Sequence, residues 1–331
     1  MGHDATRAQV TVRVPGKINL QLVVGPQRED GYHELLTIYQ AVSMHDRVRV
    51  EPASTWSISV GGLHSAGVPA DGSNLAMKAA KALADQAAAL IDDGDISAIG
   101  PVAISIDKQI PVAAGMAGGS ADAAATLVGC ADLWDLSLLR EDLEGVAATL
   151  GADVPFLLHG GTAIGSGRGD DIAPVLSQGE AHWVLWVSTE EGLSAASVYA
   201  EFDRLVGDKI PPRPELSASM VSALRTMDPR QMGRELRNDL AAAAISLQPR
   251  LQDVLNAGLE LGALGAIISG SGPTVAFLVT SAADALDLSM GLAARGPSGD
   301  IVRVTGPVPG AHVIDGRGSQ DPGSRPRSGT R

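Results

Sequence analysis

The sequence predicts an α/β protein with α+β character that folds as two domains. The chain has 331 residues, about twice the length of a typical domain. Runs that alternate apolar and polar residues, typical of half-buried strands, are interspersed with Ala-rich segments that favour helices. Apolar residues make up 45 % of the chain, which is enough for one or two sizeable cores and too many for a disordered protein.

The first half of the chain predicts strands followed by helices. Alternation begins at Gln9, pauses at Pro15-Gly16 and resumes to residue 24, and strand-like runs follow at about 35–50 and 56–60. An Ala-rich run predicts a helix over 71–91, and alternation predicts a strand over 102–106. After a glycine-rich loop at 111–120, helix-forming residues at 121–133 and 140–150 predict two more helices.

The second half predicts a further domain with more helix. Residues 156–175 have the pattern of strand fragments interrupted by glycines, and we place the domain boundary there, giving domains at 1–165 and 166–312. The patterns predict strands at 182–189, 266–269, 274–280 and 301–304, with helices in 194–206 and 217–262 and one more before the last strand. The Gly-, Pro-, Ser- and Arg-rich residues 313–331 predict a disordered tail.

Charge and cysteine content exclude several classes of function. The formal net charge is −13, so neither nucleic acid nor an anionic membrane is an expected partner. Cys130 is the single cysteine, which excludes an intramolecular disulfide, and its apolar neighbours predict a buried, inert thiol. The N terminus lacks a signal-like segment and no apolar run reaches 18 residues, so a cytoplasmic protein is expected.

Two segments suit an anionic ligand. Residues two apart on a strand share a face, so Lys17 and Asn19 point together, as a solvated polar face or as a ligand-binding pair. The loop from Pro111 to Ser120 precedes a helix N terminus, where free N–H groups and the helix dipole suit phosphate. The alternative for this loop is a mobile surface segment.

Three further segments contain candidate residues, each with a structural alternative. Asp153 follows a helix end, as a turn aspartate or as a general base beside a lysine. Tyr32 and His33 form either a surface turn or a site where a base stacks and is hydrogen-bonded. The segment at 270–272 is either a plain hairpin turn or a backbone surface beside a ligand.

The glycine spacing and the missing motifs narrow the class of enzyme. The loop at 111–120 does not end in Gly-Lys-Ser/Thr, so it is not a Walker A motif. It also lacks the G-x-G-x-x-G spacing of a dinucleotide fold, which disfavours a nicotinamide-dependent oxidoreductase. The sequence contains neither His-Arg-Asp nor Asp-Phe-Gly, which protein kinases carry.

Together these segments resemble the GHMP family of small-molecule kinases, whose three motifs occur here in family order at 15–20, 111–125 and 267–275. The resemblance covers about residues 10–310. It implies an N-terminal domain with a left-handed βαβ crossover, a ferredoxin-like C-terminal domain and an active site in the cleft between them. It also implies ATP-dependent phosphorylation of an alcohol. The segments 28–34 and 151–156 are most similar to members whose substrate is cytidine diphosphate-linked methylerythritol.

The resemblance implies a role for each candidate residue. Asp153 would take or orient the proton of the attacking hydroxyl, and Lys17 would hold Asp153 ionised. The implied substrate-binding residues are Asn19, Tyr32, His33 and Ser197. The implied ATP-binding residues are Asn74, Lys108, Pro111, Gly115, Ala117, Gly118, Gly119, Ser120 and Ala121, supported by Gly270, Ser271 and Gly272. ATP would be the phosphoryl donor with Mg²⁺, for which Ser120 and Asp153 are candidate ligands.

Other functions stay open at this point. The chain could be a GHMP kinase for mevalonate, phosphomevalonate, homoserine or galactose, although none of these offers a cytosine to Tyr32 and His33. It could also be a non-catalytic binding protein with the same fold, although such a protein would not need Lys17, Asp153 or the loop glycines. The expected partner is a small molecule, and either a monomer or a homodimer is compatible with the sequence.

Overall fold

The structure is a computed structural model that describes residues 9–90, 99–136, 138–189, 192–295 and 298–315. The strands are β1 (Val10–Gln27), β2 (His33–Pro52), β3 (Ser57–Gly61), β4 (Val102–Asp107), β5 (Thr162–Ser166), β6 (Asp171–Pro174), β7 (Ala181–Val187), β8 (Arg237–Asn238), β9 (Gly265–Ile268), β10 (Val275–Val279), β11 (Asp300–Gly306) and β12 (His312–Asp315). The helices are α1 (Leu75–Leu90), α2 (Gly118–Leu133), α3 (Arg140–Leu150), α4 (Val154–His159), α5 (Ala195–Val206), α6 (Ala218–Thr226), α7 (Pro229–Glu235), α8 (Ala241–Leu247), α9 (Arg250–Glu260) and α10 (Ala282–Arg295). Within these ranges no helix is long and apolar enough to cross a membrane.

The larger sheet is mixed and carries two helices on one face. Its main path has the order β12-β1-β2-β4-β3, while β5 pairs with β2, β6 with β5, and β8 with β1. Strands β3 and β4 are parallel and α1 connects them, so they form a βαβ unit as the resemblance implies. The left hand of this crossover stays a prediction. Helix α2 packs on β1 and β2, and α1 packs beside α2.

The smaller sheet has the ferredoxin-like arrangement. Its strand order is β11-β7-β10-β9, and every neighbouring pair is antiparallel. Helices lie between β7 and β9, and α10 lies between β10 and β11, so the order along the chain is βαββαβ with additional helices in the first crossover. The predicted two-domain fold class is confirmed.

Alternation accounts for burial at the start of β1, while from Val14 to Gly25 both faces of the strand are buried. Val10, Val12 and Val14 are fully buried, whereas Thr11 and Arg13 are partly accessible. The valines contribute to the large core, and α2 contributes to it with alanines, which allow the helix to lie close to the sheet. The few aromatic side chains explain why so many Ala and Val residues are needed in this core.

Two local predictions are wrong. Pro15-Gly16 does not interrupt the first strand, because the break is accommodated as a register shift opposite β2 within one continuous strand. Residues 154–159 are helical rather than extended. Pro155 stands in the first turn of α4, where its fixed φ suits a helix and its missing N–H costs no hydrogen bond, and Gly160 ends the helix at a φ of +69°.

The predicted domain boundary and the predicted start of the tail do not coincide with the ends of the sheets. Strand β6, at 171–174, follows the predicted boundary at 165 but forms a hairpin with β5 in the larger sheet. The predicted tail begins too early, because residues 312–315 form β12 and pair with β1. An edge strand of four residues is too short to be distinguished from a polar tail by its composition. The rest of the predicted tail, 316–331, lies outside the described residues.

Cys130 is fully buried in α2, as the sequence predicts, and burial raises the pKa of its thiol. Only the thiolate reacts readily, so we expect the native protein to resist a thiol reagent such as Ellman's reagent. The measurement is the number of thiols modified per chain. It should be near zero in native buffer and one in denaturant, since the chain has a single cysteine. Rapid modification of the native protein would contradict the buried position.

Candidate active site

A cleft of about 690 Å³ is lined by residues from both domains. They come from β1, β2, the loop before α2, the start of α5 and the turn between β9 and β10. Most of the predicted site residues meet there. They are Lys17, Asn19, Tyr32, His33, Gly115, Ala117, Gly118, Gly119, Ser120, Asp153, Gly270 and Ser271.

Six predicted site residues do not line the cleft: Asn74, Lys108, Pro111, Ala121, Ser197 and Gly272. The amide of Asn74 donates to Pro69 O at 2.7 Å and accepts from Ala76 N at 2.9 Å, which places it at the start of α1. The Ser197 hydroxyl donates to Ser194 O at 2.8 Å within the first turn of α5. Both side chains stabilise the first turn of a helix. Asn and Ser also bind ligands, so the residue type alone does not distinguish the two roles.

The resemblance places Lys108 among the ATP-binding residues, but its side chain is fully buried and does not line the cleft. Its Nζ donates to Asp46, to Asp122 Oδ2 at 2.8 Å and to Gly118 O at 2.7 Å. Asp46 Oδ1 also accepts the backbone N–H of Gln109 at 2.6 Å. Lys108 therefore ties the start of α2 to β2, and its effect on a ligand in the cleft would be indirect.

One ammonium group is shared by two buried carboxyl groups in this network. Burial raises the pKa of Asp122 to about 8, the charge of Lys108 opposes that rise, and the charge of Asp46 adds to it. We infer that the Asp122 carboxyl is protonated near neutral pH, since the two carboxyl groups face one cation. Its Oδ1 has no hydrogen-bond partner among the residues that the structure describes.

Lys17 and Asn19 lie side by side on β1 and face the cleft, which supports the ligand-binding alternative over a solvated face. Lys17 is only 4 % exposed, and its Nζ donates to Asn19 Oδ1 at 2.8 Å. Asn19 Nδ2 donates in turn to Thr37 Oγ1 at 2.8 Å on β2, which fixes the orientation of the amide. Lys17 Nζ lies 3.9 Å from Asp153 Oδ2. The chain therefore holds a cation beside this carboxylate.

Asp153 immediately precedes α4, and its side chain is 30 % exposed. Burial lowers the pKa of Lys17, and the negative charge of Asp153 opposes that change. Tyr39 lies on the other side of this pair, with its ring centroid 5.6 Å from Lys17 Nζ. Burial raises the pKa of the Tyr39 phenol well above its ordinary value, and Asp153 adds to the rise. Tyr39 therefore stays protonated and can donate a hydrogen bond.

The glycine-rich loop presents unpaired N–H groups to the cleft. Helix α2 begins at Gly118, after Ala117 at a φ of +57°, and the first helical bond is donated by Ala121 N to Ala117 O at 2.9 Å. The N–H groups of Gly118, Gly119 and Ser120 have no acceptor among the described residues. Helix N termini leave such donors free for an anion. The loop therefore offers donors to an anion, and its role in binding phosphate stays a prediction.

The loop is held in place by the second domain. Ser269 Oγ donates to Gly115 O at 2.9 Å, and Thr274 N donates to Ala114 O at 3.3 Å. Both residues flank the turn that contains Gly270, and Asn238 Nδ2 fixes that turn by donating to Gly270 O at 2.7 Å. These contacts give the segment at 270–272 the supporting position that the sequence predicts.

Gly115→Ala is expected to destabilise the protein, whereas Gly119→Ala is not. Gly115 has a φ of +75°, and a Cβ there would lie 1.9 Å from Ser269 O, so the loop must shift. The positive φ alone costs about 1–3 kcal/mol. A Cβ at Gly119 meets nothing within 4 Å, and alanine favours helix by about 0.5–1 kcal/mol. Urea denaturation of the two variants measures this difference, and equal free energies of unfolding would contradict the loop geometry.

Tyr32 and His33 form an aromatic corner with α5. Tyr32 is 59 % exposed, with the Arg168 guanidinium carbon 5.6 Å from its ring centroid. His33 is buried, its Nδ1 is 2.9 Å from Gly25 O, and its ring stacks on Tyr199 with centroids 5.7 Å apart. His33 Nε2 lies 3.0 Å from Asp203 Oδ1 without the alignment of a hydrogen bond. This nitrogen is enclosed against Asp203, while the ring of Tyr32 beside it is open to a ligand.

Sequence reasoning missed several cleft residues: Tyr39, Ala152, Arg168, Leu193, Ser194, Ala195, Ala196, Tyr199 and Asp203. One signal could have found two of them. The chain has three tyrosines, and all three line the cleft. Rare aromatic residues gathered at one place indicate recognition of a flat ring. No comparable signal marks the start of α5, whose residues reach the cleft through tertiary packing.

Comparison with known proteins identifies the family. The models for "GHMP kinases N terminal domain" and "GHMP kinases C terminal" match residues 74–161 and 220–296. A 4-diphosphocytidyl-2-C-methyl-D-erythritol kinase of Mycolicibacterium gilvum is 50 % identical over 308 residues, which is 92 % of each chain. The chain belongs to the GHMP kinase family. It is therefore an ATP-dependent small-molecule kinase, as the resemblance implies.

Solved structures agree with this assignment. A crystal structure of 4-(cytidine 5'-diphospho)-2C-methyl-D-erythritol kinase is 30 % identical, with a TM-score of 0.70 over 89 % of this GHMP kinase and 98 % of that chain. The homoserine kinase of Cytophaga hutchinsonii has a TM-score of 0.71 at 18 % identity, over 95 % of this chain and 100 % of its own. The second likeness shows the shared GHMP fold alone.

Proposed function

We propose that this GHMP kinase transfers the γ-phosphoryl group of ATP to the 2-hydroxyl of 4-diphosphocytidyl-2-C-methyl-D-erythritol. One observation carries the proposal. A single cleft holds a loop of free N–H groups, the Lys17–Asp153 pair and an aromatic corner formed by Tyr32 and His33. The identity of 50 % to a kinase of that name supports the same substrate.

Asp153 is the group that takes or orients the proton of the attacking hydroxyl. Lys17 Nζ lies 3.9 Å from Asp153 Oδ2 and can draw the hydroxyl oxygen toward the carboxylate. Asn19 holds the ammonium in position through its 2.8 Å hydrogen bond. Because phosphoryl transfer depends mainly on positioning and on neutralising charge, this fixed arrangement supplies much of what the reaction requires.

The phosphates of ATP would lie against the N–H groups of Gly118, Gly119 and Ser120. The described residues contain no group of three or more His, Cys, Asp or Glu side chains that could enclose a metal ion. Mg²⁺ fits such a site, since it is usually held by one or two protein groups together with substrate phosphates. The Ser120 hydroxyl, with Asp153 as the available carboxylate, would hold it. Bound there, the metal would neutralise charge on the transferred phosphoryl group.

The aromatic corner would bind the cytosine. Tyr32 offers an exposed ring for stacking, and the imidazole of His33, which lines the cleft beside it, would hydrogen-bond the edge of the base. Tyr199 fixes the plane of the His33 ring by stacking on it, so the imidazole is already oriented before the ligand binds. Mevalonate and homoserine have no aromatic ring to place in this corner.

The experiment is a measurement of ADP release with ATP, Mg²⁺ and each alcohol in turn. Turnover is expected with 4-diphosphocytidyl-2-C-methyl-D-erythritol and not with mevalonate or homoserine. His33→Ala should raise the KM for the cytidyl substrate and change kcat less, since His33 does not contact the reacting groups. Turnover with another alcohol would overturn the substrate assignment. No turnover with any of them, despite ATP binding, would favour a non-catalytic role.

A further inference from the structure

A second cavity, of about 720 Å³, lies away from the active-site cleft and shares no lining residue with it. It is bordered by β1, β2, the segment after β3 and the end of β4 on one side, and by β11 of the smaller sheet on the other. Its volume is within the range of about 300–1,000 Å³ typical of small-molecule sites. The function proposed above does not use this cavity.

The cavity is rich in basic side chains. Arg13, Arg47 and Arg303 line it together with two histidines, and the acidic lining residues are Asp107 and Asp300. A chain with a formal net charge of −13 therefore collects three arginines at one place. Such a concentration is unexpected for a surface whose overall potential is negative.

The three arginines lack a side-chain partner within the part of the chain that the structure describes. Over the described ranges, none of them makes an ion pair within 4.0 Å or a side-chain hydrogen bond. Asp107 Oδ1 accepts instead from Gln109 Nε2 at 2.9 Å. Fifteen guanidinium N–H donors, about five from each arginine, are thus available around one cavity.

The register of the sheet places like charges next to each other. Arg13 on β1 stands directly opposite Arg47 on β2 and, on its other side, opposite His312 on β12, whereas the other neighbour of Arg47 is Asp107 on β4. Like charges in directly opposed positions destabilise a sheet. Burial, and next the charge of Arg13, lower the pKa of His45, which also lines the cavity. An anion between these side chains would remove the repulsion.

Arginines from two sheets indicate an anion with more than one charged group. Each guanidinium can bind two oxygens of a phosphate in a fork. Arg303 on β11 approaches from the smaller sheet, so the three side chains surround a space and are not aligned in a row. Met44, Leu63, Val302 and Val304 supply an apolar border. The shape and charge suit a diphosphate, either alone or attached to a short apolar group.

We propose that this cavity is a second binding site, separate from the kinase cleft, which takes a small diphosphate through Arg13, Arg47 and Arg303. The arginines neutralise the two phosphate groups, and the ligand bridges the two sheets. The proposal does not depend on the substrate of the kinase, because none of these residues lines the active-site cleft.

Isothermal titration calorimetry of the full chain with inorganic pyrophosphate tests the proposal. The variants are Arg13→Gln and Arg303→Gln, and the matched control is Arg49→Gln. Arg49 lies two residues after Arg47 on β2, shares its face and does not line the cavity. The affinity of both cavity variants should fall at least tenfold, while that of the control stays unchanged. Pyrophosphate bound only in the kinase cleft would retain its affinity in all variants, which would overturn the proposal.

Two further measurements, thermal unfolding and titration with a second ligand, complete the experiment. In buffer without phosphate, thermal unfolding of Arg13→Gln should show an unchanged or raised melting temperature, because a repulsion is removed. A lowered one would indicate that Arg13 is structural, and Arg303→Gln, from the exposed face of β11, then decides the outcome. Titration with n-butyl diphosphate distinguishes the source: tighter binding than pyrophosphate indicates an organic diphosphate, and equal binding an inorganic one. Absence of binding by both probes would overturn the proposal.

Discussion

Asp153→Asn is expected to lower kcat by about 10²–10⁴-fold, the usual contribution of a positioned general base. The amide has the size of the carboxylate but cannot take the proton of the attacking hydroxyl. The N–H groups of the loop and Lys17 stay in place, so some turnover should remain. Initial rates of ADP release at saturating ATP and cytidyl substrate measure the change, and the two KM values should change much less than kcat.

A second carboxylate in the same cleft provides the control. Asp203 lies beside His33 Nε2, in the aromatic corner, and Asp203→Asn removes one charge by an equally small change. We expect it to alter the KM for the substrate with little effect on kcat. Near-normal turnover in Asp153→Asn, or an equal loss of kcat in both variants, would contradict the role proposed for Asp153.

Lys17 extends the test, because it should act with Asp153 as a unit. Lys17→Met removes a buried ammonium group whose pKa is lowered by burial, so the variant should fold at least as stably as the parent. Its kcat should fall, since Asp153 and the hydroxyl lose the nearby cation. The double variant should lose little more than the more damaged single variant, as in other groups that act together. Independent, multiplicative losses would mean that the two residues act separately.

The pattern of residues within each segment was sufficient to predict most of the helices and strands. Period-2 alternation predicted β1 and β4, and Ala-rich runs predicted α1 and α2, because one buried face leaves a clear imprint on each element. This reasoning fails for an element that is too short to show a pattern, or that begins with a residue typical of loops. Four residues of β12 bear no pattern, and Pro155 was not recognised as the first turn of a helix.

The site was predicted best where the position of a residue follows from the local chain geometry of a motif. The loop at 115–120 and the Lys17–Asn19 pair lie in the cleft, since chain geometry alone orients them. Lys108 was wrongly expected there. A lysine at the end of a strand can point to either side of the sheet, and Asp46, 62 residues earlier in the chain, draws it inward. Such a long-range partner cannot be recognised from one sequence.

The inward position of Lys108 leads to the largest expected effect on stability. Lys108→Met should lower the free energy of unfolding by about 3–5 kcal/mol, the usual cost of leaving a buried charge without its partner. Asp46 and Asp122 would both lose the ammonium group between them, and Gly118 O at the start of α2 would lose its donor. Urea denaturation measures the change. Lys81→Met, at an exposed position of α1, is the control and should change the free energy by less than about 0.5 kcal/mol.

The pH dependence separates lost charge pairing from lost packing. Because burial raises the pKa of Asp122 to about 8, far above its unfolded value, its contribution to stability is present at low pH and is lost as the pH rises through that value. Without Lys108 the pKa of Asp122 rises further. Above pH 8 the Asp122 carboxyl of the parent protein ionises beside the Lys108 ammonium group. In Lys108→Met the same carboxyl must stay protonated or become a buried charge without a partner. The deficit of Lys108→Met should therefore be larger at pH 9 than at pH 6.

For Asp122→Asn we expect almost no loss of stability. This variant shows whether the deficit of Lys108→Met comes from lost charge pairing or from lost packing. At pH 6 the Asp122 carboxyl is already uncharged, and an amide oxygen can accept from Lys108 Nζ in its place. The free energy of unfolding should change by less than about 1 kcal/mol, the size of one ordinary hydrogen bond. A large loss in Asp122→Asn at pH 6, together with a Lys108→Met deficit independent of pH, would show that Asp122 is ionised and that packing dominates. The expected pattern would instead show that one buried cation, shared by two carboxyl groups, holds the phosphate-loop helix on its sheet.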